Sequence, residues 1–134
     1  MGVEQNRAVV EKFFNHFDRF EMSEALAMLK DDASWQIMGT PATFPFASTH
    51  TKADMANIWS SLGDFLPNGM STRICGMIAD GDKVAVELES NGVARDGRVY
   101  NNHYHDVFVI RDDMIVEVRE YFDTQHVANM FLAG

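Results

Sequence analysis

Two carboxylates, Glu120 and Asp106, interrupt apolar stretches that read as neighbouring β-strands. In the stretch IVEVREYFD, strand alternation separates a half-charged file from a second file that contains Val116, Val118, Glu120 and Phe122. A carboxylate on the dry side of a strand is costly unless a cation pairs with it or a proton neutralises it. Two such groups in one place can divide the roles of acid and base, so the pair suggests proton transfer near neutral pH.

The side chains that face Glu120 depend on the register of the preceding strand. A two-residue turn at Asp112 and Asp113 would turn Tyr104 and Glu120 to opposite faces. A three-residue loop over 111–113 instead puts Tyr104 opposite Glu120, and we adopt it, although Asp113 must then be left-handed. In that register Asp106 lies diagonal to Glu120, roughly 7–8 Å away at the backbone.

The inward file of this strand then contains Asn102, Tyr104, Asp106, Phe108 and Ile110. His103, His105, Val107 and Val109 fall on the outer, convex face. We expect Asp106, Glu120 and Tyr104 to be catalytic and Asn102 to orient a ligand. The alternative is structural: Glu120 pairs with an arginine such as Arg73, and Asp106 binds Tyr104 or a backbone amide.

The rest of the expected pocket wall is apolar. Trp35 and Ile37 alternate inward on an earlier strand. Together with Phe13, Phe108, Val118 and Phe122 they are the expected apolar ligand contacts, although aromatic side chains also serve as plain core. Phe44 and Phe46, in the proline-containing loop 39–49, either cover the pocket mouth or simply pack. Met28, Met55, Met77 and Phe17 are interpreted as core.

The HYH stretch raises the possibility of a metal site, because His103 and His105 share a strand face. Val109 and Ile110 stand where a cupin would need a glutamate, and no second motif supplies ligands. No phosphate-binding glycine loop or nucleophile elbow is present in the sequence. We therefore expect neither a metal nor a cofactor.

Composition restricts the partners. The 134 residues carry 11 Lys plus Arg against 20 Asp plus Glu, a net charge of -9, which disfavours nucleic acid and anionic membrane. The start shows no secretory signal pattern, and no apolar run approaches the roughly 20 residues of a membrane span. Cys75 is the single cysteine, so no intrachain disulfide can form. A cytoplasmic location is the simplest expectation.

Periodicity predicts helices first and strands afterwards. Helices are expected over about 4–20 and after a capping box of Thr51 and Asp54. A short helix capped by Ser23 is also expected, and it would carry Leu26, Met28 and Leu29. Residues 35–38 read as a short strand, four strands follow over 71–79, 83–90, 99–111 and 114–122, and a helix follows over 124–133. This order indicates one α+β domain over 1–134, with helices packed on a curved, mostly antiparallel sheet.

Three stretches carry a resemblance to a known superfamily: ALAMLKDDASWQIMG, GDKVAVELESNG and DGRVYNNHYHDVFVIRDDMIVEVREYFDT. They resemble the SnoaL-like polyketide cyclases and ketosteroid-isomerase-like proteins, whose fold is the cone-shaped α+β barrel of nuclear transport factor 2. The resemblance covers nearly the whole chain. It implies a pocket between the helices and the concave sheet, but no single reaction, because this fold serves many.

The resemblance also assigns expected roles to positions of this chain. Asp106 falls where ketosteroid isomerases have a protonated aspartic acid, but their base and their tyrosine would fall at Ile37 and Phe13. Glu120 falls where limonene epoxide hydrolases have one aspartate of a triad whose other members would fall at Leu88 and Ser90. The SnoaL-type cyclases, with an acid/base aspartate close to Glu120, are the nearest match.

Together these points predict a cofactor-independent enzyme that does isomerase, cyclase or hydrolase-type acid/base chemistry on a small apolar carbonyl- or epoxide-bearing molecule. A non-catalytic protein that binds a hydrophobic ligand in the same pocket is the first alternative. An association module is the second. The outer, convex face of the sheet predicts a homodimer, because Val107, Val109 and Tyr121 are interleaved there with charged residues and histidines.

Overall fold

A computed structural model describes residues 2–132 of the chain. Its elements, in chain order, are α1 (Val3–Asp18), α2 (Met22–Ala27), β1 (Leu29–Ile37), β2 (Ser48–Thr51), α3 (Lys52–Phe65), β3 (Met70–Asp80), β4 (Lys83–Val93), β5 (Val99–Arg111), β6 (Met114–Phe122), α4 (Thr124–Val127) and a π-helical turn (Ala128–Leu132).

One curved sheet has the strand order β2-β1-β6-β5-β4-β3. Its pairings are antiparallel except for β1 with β6, which run parallel. The α1 helix packs against β3 and β4, and α3 packs against β1 and β2. The predicted α+β class, with helices on one face of a mostly antiparallel sheet, is therefore confirmed. No helix in residues 2–132 has the length and apolar character needed to cross a membrane.

The N-terminal caps of α3 and α2 can be compared with those predicted from the sequence. Thr51 and Asp54 form the predicted capping box of α3, each side chain bonding the other residue's backbone N–H. The second helix differs from the prediction, because its N-cap is Glu21 rather than Ser23. Leu29, which was expected on that helix, instead begins β1 and pairs with β6. Burial of Leu29 in the sheet outweighs its helical spacing.

The connection after β1 contains more regular structure than its composition predicts. Ser48–Thr51, partly within the expected loop 39–49, form the edge strand β2 against β1. The chain end also differs, because the predicted continuous helix is α4 followed by the π-helical turn, and Ala133 lies outside the described residues. Arg98 donates to the carbonyls of Asn129 and Met130 and thereby holds this segment.

The register between β5 and β6 corrects the expected three-residue loop. Asp112 and Asp113 form a two-residue turn, with φ values of 51° and 63°. Such a turn requires left-handed backbone at both positions, which aspartate tolerates better than most residues. A β-bulge follows, because Ile110 pairs with Ile115 whereas Val109 pairs with Glu117.

The bulge determines which side chains face the cavity. It inserts Val116 as an extra residue, so Ile115 is fully buried in place of Val116. Beyond the bulge, the residues predicted to face inward do so, but the pairing between β5 and β6 is shifted. Asp106 lies directly opposite Glu120, and Tyr104 lies opposite Phe122. The two carboxylates are thus closer than the diagonal placement expected from the sequence.

Two of the hairpin turns in this sheet, β3–β4 and β5–β6, predict opposite effects of two substitutions. Asp113→Gly should raise the free energy of unfolding by about 0.5–1 kcal/mol, because glycine adopts a positive φ without cost. Gly81→Ala in the β3–β4 turn, where φ is 59° and an added Cβ would meet no atom, should lower it by a similar amount. Urea unfolding of both variants beside the wild type measures the two changes; equal signs would contradict this account of the turns.

Candidate active site

A cavity of about 440 Å³ lies between the helices and the concave face of the sheet. A volume in this range suits one small organic molecule. Helices α1 and α3, five strands, the loop before β2 and the C-terminal segment all contribute to its wall. The lining residues are Phe13, Phe14, Phe17, Trp35, Ile37, Phe46, Met55, Ile58, Trp59, Ser61, Leu62, Phe65, Met70, Thr72, Leu88, Tyr100, Tyr104, Glu120, Phe122, Val127 and Phe131.

Aromatic rings form the deep part of this wall. Trp35 and Trp59 meet edge to face with centroids 5.4 Å apart, and the ring of Phe13 lies 6.0 Å from each of them. Such edge contacts hold large side chains in fixed positions while leaving space beside them. Phe46 lines the mouth, whereas Phe44 is buried behind it and contacts Phe122.

Glu120 is the one residue with an ionisable carboxyl among the lining residues described above. Trp35 donates its indole N–H to Glu120 Oε1 over 3.1 Å. Within residues 2–132, no Lys, Arg or His forms an ion pair with Glu120. Arg73, the arginine suggested as its structural partner, lies on the convex face and binds Glu89 over 3.0 Å. The salt-bridge alternative with Arg73 is therefore wrong.

Asp106 supports Glu120 from behind the cavity wall. Its side chain is 1% exposed, and its Oδ1 has no hydrogen-bond partner among the described residues. Burial, the charge of Glu120 and a hydrogen bond to Glu120 together raise the pKa of Asp106 well above its usual range. An ionised carboxylate with an unpaired oxygen would be expensive here, which favours a protonated Asp106 that can donate to Glu120.

The environment of Glu120 brings its proton exchange close to neutral pH. Burial raises its pKa from 4.5 to about 7, although the hydrogen bonds from Trp35 and Asp106 lower it. A carboxylate that exchanges a proton near pH 7 can both accept and return one under ordinary conditions. Because Glu120 borders the cavity whereas Asp106 does not, only Glu120 is positioned to contact a ligand.

A second polar cluster lies beside the carboxyl pair, on the same inward file of β5. The hydroxyls of Tyr100 and Tyr104 are hydrogen-bonded to each other. Ser90 Oγ donates to the Tyr104 hydroxyl over 3.3 Å, and Asn102 Nδ2 donates to the Tyr100 hydroxyl over 3.2 Å. Burial raises the pKa of Tyr100 to about 12 and that of Tyr104 well above 10, so both phenols keep their protons at neutral pH.

The structure divides the expected site residues into two groups. Those that line the cavity are Phe13, Trp35, Ile37, Tyr104, Glu120 and Phe122. Those that lie behind its wall are Asn102, Asp106, Phe108 and Val118, each 2% exposed or less. Asn102 acts inside the protein, where its Oδ1 accepts from the backbone N–H of His103 and Asp123.

Other lining residues were missed or assigned to the core. Phe17 and Met55, interpreted as core, line the cavity. Tyr100 lies two residues before Asn102 on the inward file, so extending the same alternation by one step would have included it. Val127 and Phe131 come from the C-terminal segment, whose position over the cavity has no local signal in the sequence.

The histidines of the HYH stretch lie away from this site. His103 and His105 are exposed on the convex face, as the alternation predicts. His103 Nδ1 lies 3.8 Å from Glu89 Oε1 on the neighbouring strand. In the part of the chain that the structure describes, no group of at least three His, Cys, Asp or Glu side chains is arranged to hold a metal ion.

Comparison with known proteins identifies the fold. A sequence model of the SnoaL-like domain matches residues 10–118. No curated protein sequence matches the chain. An NTF2-like protein from Burkholderia xenovorans LB400 is a similar solved structure, with 23% identity, coverage of 97% of this chain and 98% of that one, and a TM-score of 0.73.

Two further solved structures are similar over most of their length. PrhC from Penicillium brasilianum has 16% identity over 98% of this chain and 88% of its own, with a TM-score of 0.86. TerC, co-crystallised with polyporic acid, has 16% identity over 94% of this chain and 97% of its own, with a TM-score of 0.79. At these identities the likeness establishes the fold, whereas the chemistry depends on this chain's own side chains.

The buried carboxyls predict how stability depends on pH. The unfolded chain releases the Glu120 proton near 4.5 and the folded chain near 7, so the folded state binds more protons between these values. The free energy of unfolding should therefore fall as pH rises through this window, by on the order of 3 kcal/mol for Glu120, and Asp106 should add to the slope. Urea unfolding from pH 5 to pH 8 measures this dependence.

The variant Glu120→Gln tests the assignment of that slope. The free energy of unfolding of the variant should fall more gently with pH than that of the wild type. At pH 8 the variant should be the more stable protein, because the substitution removes a buried charge. Stability that rises with pH across this window, or a variant strongly destabilised at pH 8, would mean that Glu120 is a paired structural carboxylate.

Proposed function

The chain belongs to the SnoaL-like domain family, and from this premise we propose that it is an enzyme that transfers a proton on a small, largely apolar carbonyl compound. Glu120 is the base. The observation that supports this most directly is a single carboxylate on an aromatic cavity wall, hydrogen-bonded by Trp35, with a pKa raised to about 7.

The chemistry follows from the surroundings of Glu120. Its ionised carboxylate removes a proton from the carbon next to the carbonyl, the C–H electron pair forms the C=C bond of an enolate, and negative charge collects on the carbonyl oxygen. The site therefore carries one negative charge before and after the step. Moving a charge within an apolar cavity is less costly than creating one, because the desolvation of Glu120 is offset when it becomes neutral.

Asp106 sets the strength of this base without touching the ligand. As a protonated donor it stabilises the ionised form of Glu120. The apolar wall binds the rest of the molecule by contact and excludes water. TerC, a solved structure of similar fold, was co-crystallised with polyporic acid, which supports small-molecule binding as a role for a protein of this fold.

Exchange of carbon-bound hydrogen tests the proposal. In D₂O the wild type should accelerate loss of the NMR signal of the α-protons of an apolar cyclic ketone such as 2-tetralone. Glu120→Gln should reduce the enzymatic rate roughly 100-fold or more, because it removes the base and keeps the shape. The wild-type kcat/KM should rise with pH up to about 7 and then level off, since the base must be ionised.

Substitutions of Asp106 are the matched controls. Asp106→Asn retains an N–H donor toward Glu120, so it should keep much more activity than Asp106→Ala, which removes the donor. Equal exchange rates in wild type and Glu120→Gln would refute the base assignment. A ketone bound tightly and recovered without any exchange would instead favour a non-catalytic ligand-binding protein.

We also propose that this chain, a single domain expected in the cytoplasm, forms a homodimer through its convex sheet face. Ile78, Ala85 and Val107 lie in one cross-strand row on that face, and Ile78 is 74% exposed. Tyr121, 42% exposed, lies in the next row beside His105. A small apolar row bordered by charged side chains suits an isologous contact between two copies.

Sedimentation equilibrium tests this dimer. The wild type at micromolar concentration should have about twice the 15.1 kDa mass of the chain. Val107→Asp should shift it toward monomer, because two buried aspartates would meet near the twofold axis. Lys12→Glu, on the exposed side of α1, is the control and should stay dimeric. A monomeric wild type would remove the proposal.

A further inference from the structure

The tyrosine pair holds one more hydroxyl proton than its surroundings can accept. Ser90, Tyr100 and Tyr104 carry one hydroxyl proton each and are joined by two hydroxyl–hydroxyl bonds, Ser90 to Tyr104 and Tyr104 to Tyr100. The only other bonds to these hydroxyls among the described residues bring protons in: Asn102 Nδ2 donates to Tyr100, and the Asn102 backbone N–H donates to Ser90. One O–H therefore has no acceptor within residues 2–132.

The orientation of the Asn102 side-chain amide decides whether this spare hydroxyl proton has an acceptor. A reversed amide would turn its oxygen toward Tyr100 and could take up the spare proton. That oxygen, however, already accepts from the backbone N–H of His103 over 2.7 Å and of Asp123 over 3.2 Å, which fixes the NH₂ group toward Tyr100. Asn102 is 2% exposed, so water does not replace these bonds.

The spare proton belongs to a phenol on the cavity wall. Ser90 donates its own proton to Tyr104 and does not line the cavity, whereas Tyr100 and Tyr104 both do. If Tyr100 donates to Tyr104, the proton of Tyr104 is free; if Tyr104 donates to Tyr100, the proton of Tyr100 is free. In either arrangement one phenolic O–H is left to face the cavity.

We propose that the Tyr100–Tyr104 pair is the hydrogen-bond donor for the carbonyl oxygen of the ligand, and that it selects uncharged molecules that carry such an acceptor. An anionic ligand would meet the charge of Glu120 without any cation on the described wall. An acceptor oxygen, in contrast, pairs with the phenolic O–H that has no acceptor among the described residues.

The role of this donor in the reaction rests on the function proposed above, but the hydrogen bond itself does not. When Glu120 takes the α-proton, the electron pair of the C–H bond moves through the new C=C bond and the carbonyl π pair moves to oxygen. The phenol O–H then faces a developing oxyanion. The bonds that both hydroxyls accept from Ser90 and Asn102 hold this donor in place before the charge appears.

A ketone that cannot form an enolate separates binding from turnover. 9-Fluorenone has no α-hydrogen, and fluorene has the same ring frame without the oxygen. In the wild type the infrared carbonyl band of bound fluorenone should lie at lower frequency than in a hydrocarbon solvent, because the phenol donates to it. A band at the hydrocarbon position, or no binding of fluorenone, would overturn the inference.

Variants identify the donor. Tyr100→Phe and Tyr104→Phe should each keep a lowered band, because the remaining phenol retains a free proton. The double variant should return the band to the hydrocarbon position and weaken fluorenone binding roughly 2- to 10-fold, with fluorene binding kept. Glu120→Gln should keep the lowered band even where it abolishes exchange, so failure of the proposed function is distinguishable from failure of this inference.

The double variant removes the acceptors of the Ser90 hydroxyl and of one N–H of the Asn102 side chain, so a second measurement covers the case in which it does not fold. Replacing all 3 tyrosines by 3-fluorotyrosine makes each phenol more acidic and should move the fluorenone band further to lower frequency. Tyr121 lies on the convex face, and Tyr121→Phe in the fluorinated protein should leave that shift intact. An unmoved band would contradict a phenol donor.

Discussion

The direct pairing of Asp106 with Glu120 across β5 and β6 is the constraint on which the site depends. Two ionised carboxylates side by side in an apolar interior would repel each other and lose their hydration, at a cost of several kcal/mol each. Sharing one proton removes most of that cost. The deeper Asp106 keeps the proton, and Glu120, which borders the cavity and accepts from Trp35, carries the charge.

Several features of the fold serve this pair. The bulge at Val116 brings Glu120 to the same face as Asp106, while aromatic side chains of α1 and α3 form part of the wall of the cavity that Glu120 borders. The phenol cluster lies on the same inward file of β5, where the charge of Glu120 further opposes ionisation of both tyrosines. The concave face thus places a carboxyl group and two protonated phenols side by side in an apolar space.

The family places this arrangement in context. A SnoaL-like domain supplies the helices, the curved sheet and the space between them, and solved structures below 25% identity share that frame. The chemistry depends on which side chains point into the space. Here Phe13 and Ile37 stand where the resemblance to ketosteroid isomerases would require a tyrosine and a base, and Glu120 with the Tyr100–Tyr104 pair provides the polar groups instead.

Local sequence patterns determined the α+β class, α1, the capping box of α3, the strands β3 to β6 and the unusual position of Glu120, because each depends on periodicity or on neighbours in the chain. Tertiary structure decided the rest. Edge strand β2, the bulge at Val116, the direct Asp106–Glu120 pairing and the tyrosine network depend on hydrogen bonds between distant segments. Alternation predicts which residues share a face, but a single inserted residue changes every pairing beyond it, and only the closed sheet fixes that register.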